Sequence, residues 1–139
     1  MDDSNFSVDV QVRYQDLDTL QHVNNAVYVT YFEMARTSYL DAILDIPVDA
    51  FAFVVASLSI DFKRPVTMGD DVVAAVAVTE LGTSSWTMAY EIRANDDVAA
   101  TGETTLVFVD PETKRPTEIP PEVRAAIIEY EGLEPSEAQ

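Results

Sequence analysis

Polar side chains that can do acid–base or nucleophilic chemistry are concentrated in the ten residues from Asp16 to Asn25. This run reads Asp-Leu-Asp-Thr-Leu-Gln-His-Val-Asn-Asn, and it contains the one histidine of the chain. Asp18 precedes a predicted helix, whose positive N-terminal dipole favours an ionised carboxylate. An ionised carboxylate can attack a carbonyl carbon or activate a water molecule. An aspartate that only organises a turn has the same pattern, so the residue types alone leave both roles open.

The composition excludes several other kinds of site. The chain has no cysteine, which excludes disulfides, thiolate–metal sites and cysteine nucleophiles. With one histidine and no calcium-loop spacing, we expect no metal site. Neither a Gly-x-Gly phosphate loop nor a Gly-x-Ser-x-Gly nucleophile elbow occurs. We therefore expect chemistry that uses no metal and no redox cofactor.

The chain is strongly acidic. Its 139 residues include 25 Asp and Glu but only 8 Lys and Arg, which gives a formal net charge of -17. Salt at about 1 M, where the Debye length is roughly 3 Å, screens such repulsion, and the pattern is typical of proteins from salt-loving cytosols. A merely acidic mesophilic protein also fits. The charge predicts no nucleic-acid binding, and the lack of a signal peptide or long apolar run predicts a cytoplasmic protein that is not in a membrane.

Hydrophobic periodicity predicts one strand, one long helix, four more strands and a short helix. The predicted ranges are strand 6–14, helix 26–44, strands 51–62, 72–80, 84–94 and 98–109, and helix 122–130. Short turns between the later strands imply antiparallel pairing. The long helix is apolar around most of its circumference, which predicts that the sheet wraps it. The strand 72–79 is apolar on both faces, which predicts cover on both.

These elements predict a single α+β domain over residues 1–139. Its core is expected over about 6–125, and residues 131–139 are expected to form a frayed acidic tail.

The loop sequence continues into motifs that run through most of the chain. These are Tyr14-Gln15-Asp16-Leu17-Asp18, Gln21-His22-Val23-Asn24-Asn25, Tyr28, Tyr31-Phe32-Glu33-Met34-Ala35-Arg36, Ile60-Asp61-Phe62-Lys63-Arg64-Pro65, Gly69-Asp70 and the strand from Gly102 to Asp110. With the order of elements, they resemble the hotdog superfamily, in its 4-hydroxybenzoyl-CoA thioesterase-like branch. The resemblance implies a long central helix wrapped by a curved five-stranded antiparallel sheet. It also implies hydrolysis of an acyl-CoA thioester to a free acid and coenzyme A, which enters as part of the substrate.

The resemblance also implies roles for single residues of the loop. Asp18, the second aspartate of the pair, is implied to be the catalytic carboxylate, either as nucleophile or as general base. The backbone N–H of Asn25 is implied to stabilise the oxyanion. His22 and Asn24 are candidates for positioning the substrate, although the asparagine side chains could serve only as helix caps and His22 could simply hydrogen-bond the loop.

Two residues of the loop depart from the family pattern. Gln21 stands where bacterial members usually carry glycine. Leu20 stands where the similar plant acyl-ACP thioesterases carry an asparagine, so the plant-type arrangement of site residues is incomplete.

Three further groups are candidates for the site. Lys63 and Arg64 form one adjacent basic pair, and Lys114 with Arg115 forms another. Either pair could meet the phosphates of coenzyme A or stand alone in an acidic surface. Glu33 on the long helix is the alternative catalytic carboxylate, although an ion pair with the arginine three residues later is the simpler explanation.

The resemblance finally implies an assembly, and it leaves other functions open. It implies a homodimer joined through a continuous sheet, or a homotetramer, with active sites at the subunit interface. A hotdog protein that binds acyl-CoA without turnover is one alternative, and an enoyl-thioester hydratase or dehydratase is another.

Overall fold

A computed structural model of the chain describes residues 6–44 and 52–133. Its elements are β1 (Phe6–Val10), α1 (Val27–Leu44), β2 (Phe53–Phe62), β3 (Val72–Leu81), β4 (Ser85–Ala94), β5 (Asp97–Phe108) and α2 (Pro121–Glu131). The predicted order of elements is confirmed. The predicted strand position of Phe51 and the predicted tail beyond residue 133 lie outside the described residues. Within the described ranges, none of the helices has the length and apolar character needed to cross a bilayer.

The five strands form one antiparallel sheet in the order β1-β3-β4-β5-β2. Tight hairpins join β3 to β4 and β4 to β5. In the second hairpin Asn95 and Asp96 have φ values of 53° and 70°, and two positive φ values suit a hairpin turn whose twist matches its strands. The predicted antiparallel pairing is confirmed. The predicted series of short turns fails at β2, because the connection over residues 63–71 is long enough to carry the chain across the sheet.

β1 is shorter than its alternating sequence predicts. It ends at Val10, and Tyr14–Asp16 form a turn of 3₁₀ helix instead of a strand end. The reason is a side-chain contact, since the backbone N–H of Arg13 donates to the Asp16 carboxylate at 2.9 Å. A carboxylate thus takes a donor that a longer strand would use in the sheet.

The apolar stripe of α1 is buried against one face of the sheet. Its most deeply buried members at three- and four-residue spacing are Tyr28, Phe32, Ala35 and Tyr39. The ring of Phe32 stacks on Tyr90 of β4 with centroids 4.5 Å apart. It also covers Gly102 of β5, where a Cβ atom would clash with the ring. The expected wrapping is incomplete in one chain, because Met34 is 41% exposed.

Both faces of β3 are buried, as its two-sided apolar sequence predicts. On one face, the side chains of Val72, Ala74, Val76 and Val78 belong to the core cluster. On the opposite face Ala75 and Ala77 are 5% and 7% exposed.

β2 is an apolar strand at the edge of the sheet. Four of its large apolar side chains are 43–50% exposed: Val54, Val55, Leu58 and Phe62. β5 is its strand partner on one side, and no strand in the described residues pairs with its other side. A free strand edge of this length is a template for pairing with another chain.

The C-terminal helix α2 is anchored to the rest of the fold by Glu131. Its Oε2 atom accepts hydrogen bonds from the Tyr39 hydroxyl at 2.7 Å and from the Val78 backbone N–H at 2.8 Å. Burial and the contact with Glu131 raise the pKa of the Tyr39 phenol, so it stays a donor. The prediction of a frayed tail starting at residue 131 is therefore wrong for Glu131, because this carboxylate has specific donors within the fold.

Candidate active site

Residues 17–23 form a closed loop just before α1. An isolated antiparallel bridge joins the first and last residues of this loop. Inside it, the N–H of Asp18 donates to the carbonyl of His22 at 2.8 Å, and the N–H of Gln21 donates to the carbonyl of Asp18 at 3.0 Å. Gln21 has a φ of 66°, in the left-handed region that favours glycine. The departure from the family's glycine thus falls on a backbone conformation that glycine fits best.

Asp18 is held in place through one of its two carboxylate oxygens. Oδ1 accepts hydrogen bonds from the backbone N–H groups of Leu20 at 2.8 Å and His22 at 3.2 Å. Oδ2 has no hydrogen-bond partner among the residues that the structure describes. The carboxylate therefore organises the turn, one of the two roles left open by the sequence, and still keeps one oxygen available for chemistry.

The start of α1 supplies a backbone donor beside this loop. The Asn24 side chain accepts a hydrogen bond from the N–H of Ala26 at 2.9 Å, so Asn24 caps the helix. The backbone N–H of Asn25 donates to no residue in the described ranges. Such N–H groups at a helix start attract negative charge, because they lack partners within the helix and lie at its positive end.

A cavity of about 290 Å³ brings most of the predicted residues together. Its lining consists of Asp18, His22, Val23, Asn25, Tyr28, Phe62, Lys63, Arg64 and Pro65. A bridge between His22 and Thr67 holds the loop against the connection that follows β2. Asn24 is not among the lining residues, and its observed contact is the helix cap.

The basic pair at the cavity is unevenly neutralised. Arg64 donates to Asp97 at 2.8 Å, whereas Lys63 is exposed and makes no ion pair within the described ranges. The other basic pair, Lys114–Arg115, follows the far end of β5. Strand β5 runs from the residues beside Lys63 to the opposite end of the sheet, so only the first pair lies at the cavity.

Glu33, the alternative carboxylate, lies elsewhere on α1. It is not a lining residue of the cavity. Its side chain is 58% exposed and lies 3.8 Å from Arg36, which is the i,i+3 ion pair that its spacing predicts. Solvent screens an ion pair this exposed, so its contribution to stability is small.

Two aromatic residues of the cavity have no role in the prediction from sequence. Tyr28 and Phe62 meet edge to face with ring centroids 5.1 Å apart. Burial raises the pKa of the Tyr28 phenol, although a hydrogen bond from the Val66 backbone partly offsets this effect. Tyr28 therefore brings a neutral hydroxyl to the cavity wall. Two features of the sequence could have indicated these residues. Tyr28 belongs to the apolar stripe of the helix, and Phe62 ends the alternating pattern of a strand.

Residues 12–127 match the family model of the thioesterase-like superfamily. The chain belongs to this superfamily. It is 29% identical to the long-chain acyl-CoA thioesterase FadM of Escherichia coli, over 83% of this chain and 91% of that protein. It is also 29% identical to the acyl-CoA thioesterase YbgC of Haemophilus influenzae, over 89% of this chain and 95% of that protein.

A solved structure leads to the same family. A thioesterase from Thermus thermophilus, crystallised with coenzyme A and Zn, is 39% identical to this chain with a TM-score of 0.84. The match covers 92% of this chain and 95% of that one. The predicted hotdog fold and thioesterase family are therefore confirmed. Because its named relatives are acyl-CoA thioesterases, this superfamily member is a thioester hydrolase.

Replacing Gln21 with glycine should stabilise the protein. A side chain in the left-handed region costs roughly 1–2 kcal/mol, and the greater freedom of glycine in the unfolded chain offsets about 0.5–1 kcal/mol of that gain. We expect the free energy of unfolding to rise by about 0.5–1 kcal/mol in urea denaturation. Thr19→Gly is the matched control, since Thr19 lies in the same loop without a positive φ. It should lose stability, and equal effects of both changes would contradict the argument.

Proposed function

We propose that this superfamily member hydrolyses acyl-CoA thioesters with Asp18 as its catalytic carboxylate. The proposal rests on the set of residues that line one cavity. Its lining includes the Asp18 carboxylate, the Asn25 N–H and Lys63, and within the described ranges one Asp18 oxygen, that N–H and the lysine have no hydrogen-bond or ion-pair partner. These groups match the needs of thioester hydrolysis, which are an attacking or activating base, an oxyanion donor and a contact for the coenzyme.

Asp18 can act in either of two ways. Its free oxygen can attack the thioester carbonyl and expel the thiolate of coenzyme A, which leaves an acyl anhydride that water then opens. Alternatively, it takes a proton from a water molecule that attacks the same carbonyl. The bonds from Leu20 and His22 hold the carboxylate in one orientation for either route. No metal or redox cofactor takes part in either proposed route.

The N–H of Asn25 is the proposed donor to the oxyanion. Negative charge develops on the carbonyl oxygen as the tetrahedral intermediate forms, and a fixed N–H at a helix start stabilises it without reorganisation. His22 lines the cavity beside Asp18 and positions the substrate. Asn24 acts indirectly, because its cap fixes the first turn of α1.

A second copy of the chain is the proposed partner at the site. The cavity of about 290 Å³ is slightly smaller than the usual size of ligand sites, roughly 300–1,000 Å³. Phe62 belongs both to the cavity lining and to the exposed apolar side chains of β2. Pairing of two β2 edges would therefore bury these side chains and bring the partner next to the cavity. This homodimer would complete the acyl pocket from both subunits.

Asp18→Asn should abolish most thiol release from acyl-CoA. Asparagine keeps an oxygen that can accept from Leu20 and His22, so the loop should survive while the base is lost. We expect kcat to fall about 10²–10⁴-fold, measured with a panel of acyl-CoA substrates at low and molar salt. Asp41→Asn, on an exposed part of α1, should keep full activity, and so should Glu33→Gln. Full activity of Asp18→Asn would contradict the site, and no turnover by the wild type would favour a binding protein.

Lys63→Ala should weaken the binding of coenzyme A. An exposed charge contact is worth up to about 1 kcal/mol, so KM for acyl-CoA should rise about two- to fivefold at low ionic strength. An acyl-pantetheine substrate lacks the nucleotide phosphates, and its KM should not change. Lys114→Ala is the matched control at the far end of the sheet. If both lysine variants raise KM equally, a general charge effect explains the result better than a contact.

The mass of the active protein tests the proposed dimer. Sedimentation equilibrium should give twice the 15.4 kDa of one chain, or a multiple of that pair. A fully active species of 15.4 kDa would rule out a site shared between subunits.

A further inference from the structure

Asp16 is a buried carboxylate that the proposed chemistry does not use. It lies two residues before Asp18 and is only 2% exposed. It is not among the residues that line the cavity. A buried carboxylate is costly unless hydrogen bonds satisfy it, so its contacts indicate why it is there.

Both oxygens of Asp16 accept hydrogen bonds. Oδ2 accepts from the Tyr31 hydroxyl at 2.9 Å and from the Arg13 backbone N–H at 2.9 Å, and Oδ1 accepts from the Arg13 guanidinium at 3.1 Å. Burial alone would raise the pKa of Asp16, but these hydrogen bonds outweigh it and hold the pKa below its ordinary value. The carboxylate is therefore ionised at neutral pH, and each of its oxygens has a donor.

The main chain of Asp16 also closes the catalytic loop. Its carbonyl accepts from the backbone N–H of Asn24 at 2.8 Å, and inside that contact the N–H of Asp18 bonds the carbonyl of His22 at 2.8 Å. One residue thus fixes both ends of the loop through its backbone. Through its side chain it ties the same loop to α1.

Tyr31 makes this tie relevant to the oxyanion donor. It is 2% exposed and lies one turn after the first residue of α1, so it is part of the same rigid helix whose start carries the Asn25 N–H. Its ring packs against Tyr28 of the cavity with centroids 6.2 Å apart. The bond from Tyr31 to Asp16 therefore links the helix that holds the donor to the loop that holds the catalytic carboxylate.

We infer that Asp16 and Tyr31 form a positioning pair that sets the distance between the Asp18 carboxylate and the N–H groups at the start of α1. The inference rests on the proposed function of Asp18. Neither residue of the pair lines the cavity, so we expect neither to touch the substrate. Losing their contact should therefore change the rate of the chemical step more than the binding of acyl-CoA.

Tyr31→Phe is the sharpest test, because it removes one hydroxyl and leaves the ring in the core. A shift of about 1 Å between reacting groups can cost roughly 100-fold in rate, so we expect kcat to fall about 10- to 100-fold while KM stays within about twofold. Asp16→Ala, which removes the acceptor, should lose at least as much kcat. If Asp16→Ala does not fold, Tyr31→Phe alone still tests the pair.

The chain provides a matched control on the same helix. Tyr39 is also buried, and its hydroxyl also donates to a carboxylate, that of Glu131, at 2.7 Å. Tyr39→Phe removes an equivalent bond two turns further along α1, away from the catalytic loop. It should lower the melting temperature about as much as Tyr31→Phe does and leave kcat unchanged.

Two further measurements separate positioning from general stability. Tyr31→Phe and Asp16→Ala combined should lose no more kcat than Asp16→Ala alone, because Asp16→Ala already removes the acceptor of the Tyr31 hydroxyl. Added to Asp18→Asn, Tyr31→Phe should cause no further loss. Equal kcat for Tyr31→Phe and Tyr39→Phe would overturn the inference. An inactive Asp18→Asn with a fully active Tyr31→Phe would overturn it and leave the proposed function standing, whereas an active Asp18→Asn would overturn the proposed function itself.

Discussion

The close contact between α1 and the sheet fixes the rest of the structure. Phe32 occupies the space above Gly102 that a side chain on β5 would otherwise fill, and it stacks on Tyr90. Interiors packed this tightly allow little movement, because any shift opens a void or forces an overlap. The height of α1 above the sheet is therefore set by core packing. Core packing therefore also positions the residues that lead into α1, where the Asn24 side chain accepts from Ala26 and the Asn25 N–H has no partner among the described residues.

The electrostatics of the site follow from neutral donors more than from cations. A chain of net charge -17 places a carboxylate beside a helix start, where partial positive charge comes from backbone dipoles. Of the two cations at the cavity, Arg64 is already paired with Asp97. An anionic substrate thus approaches an acidic protein with little local attraction. Salt that screens the net charge therefore favours this encounter.

The order of elements and the site loop can be predicted from the sequence, because both depend on local pattern. Alternation and turn residues predict β3, β4 and β5, and the run around Asp18 predicts a loop that meets a helix start. The sequence does not predict the early end of β1, because that end depends on a hydrogen bond between Arg13 and Asp16. The contact of Glu131 with Tyr39 and Val78 could not be predicted either, because in the sequence Glu131 is one of several acidic residues near the end of the chain.

The position of β2 is a second feature that local pattern does not contain. Consecutive strands usually pair. Here the long connection over residues 63–71 carries the chain from β2 at one edge of the sheet to β3 on the far side of β5 and β4, so β2 pairs with β5 instead. Within the site, the equal residue types of Asn24 and Asn25 hide different roles. One uses its side chain as a cap, and the other has a backbone N–H without a partner in the described residues. That difference depends on where the helix begins.

The contact of Glu131 with β3 makes the two margins of the sheet unequal. At one margin the described part of β1 pairs with Val72–Val76 of β3, and the Glu131 carboxylate accepts from the Val78 N–H beyond that pairing. At the other margin β2 offers ten residues. A sheet that can extend in both directions can grow into an open-ended ribbon, whereas one with a single long margin reaches a finite end when two copies meet. By occupying the Val78 N–H, Glu131 takes a backbone donor at the β1 margin, whereas among the described residues no strand pairs with the outer side of β2.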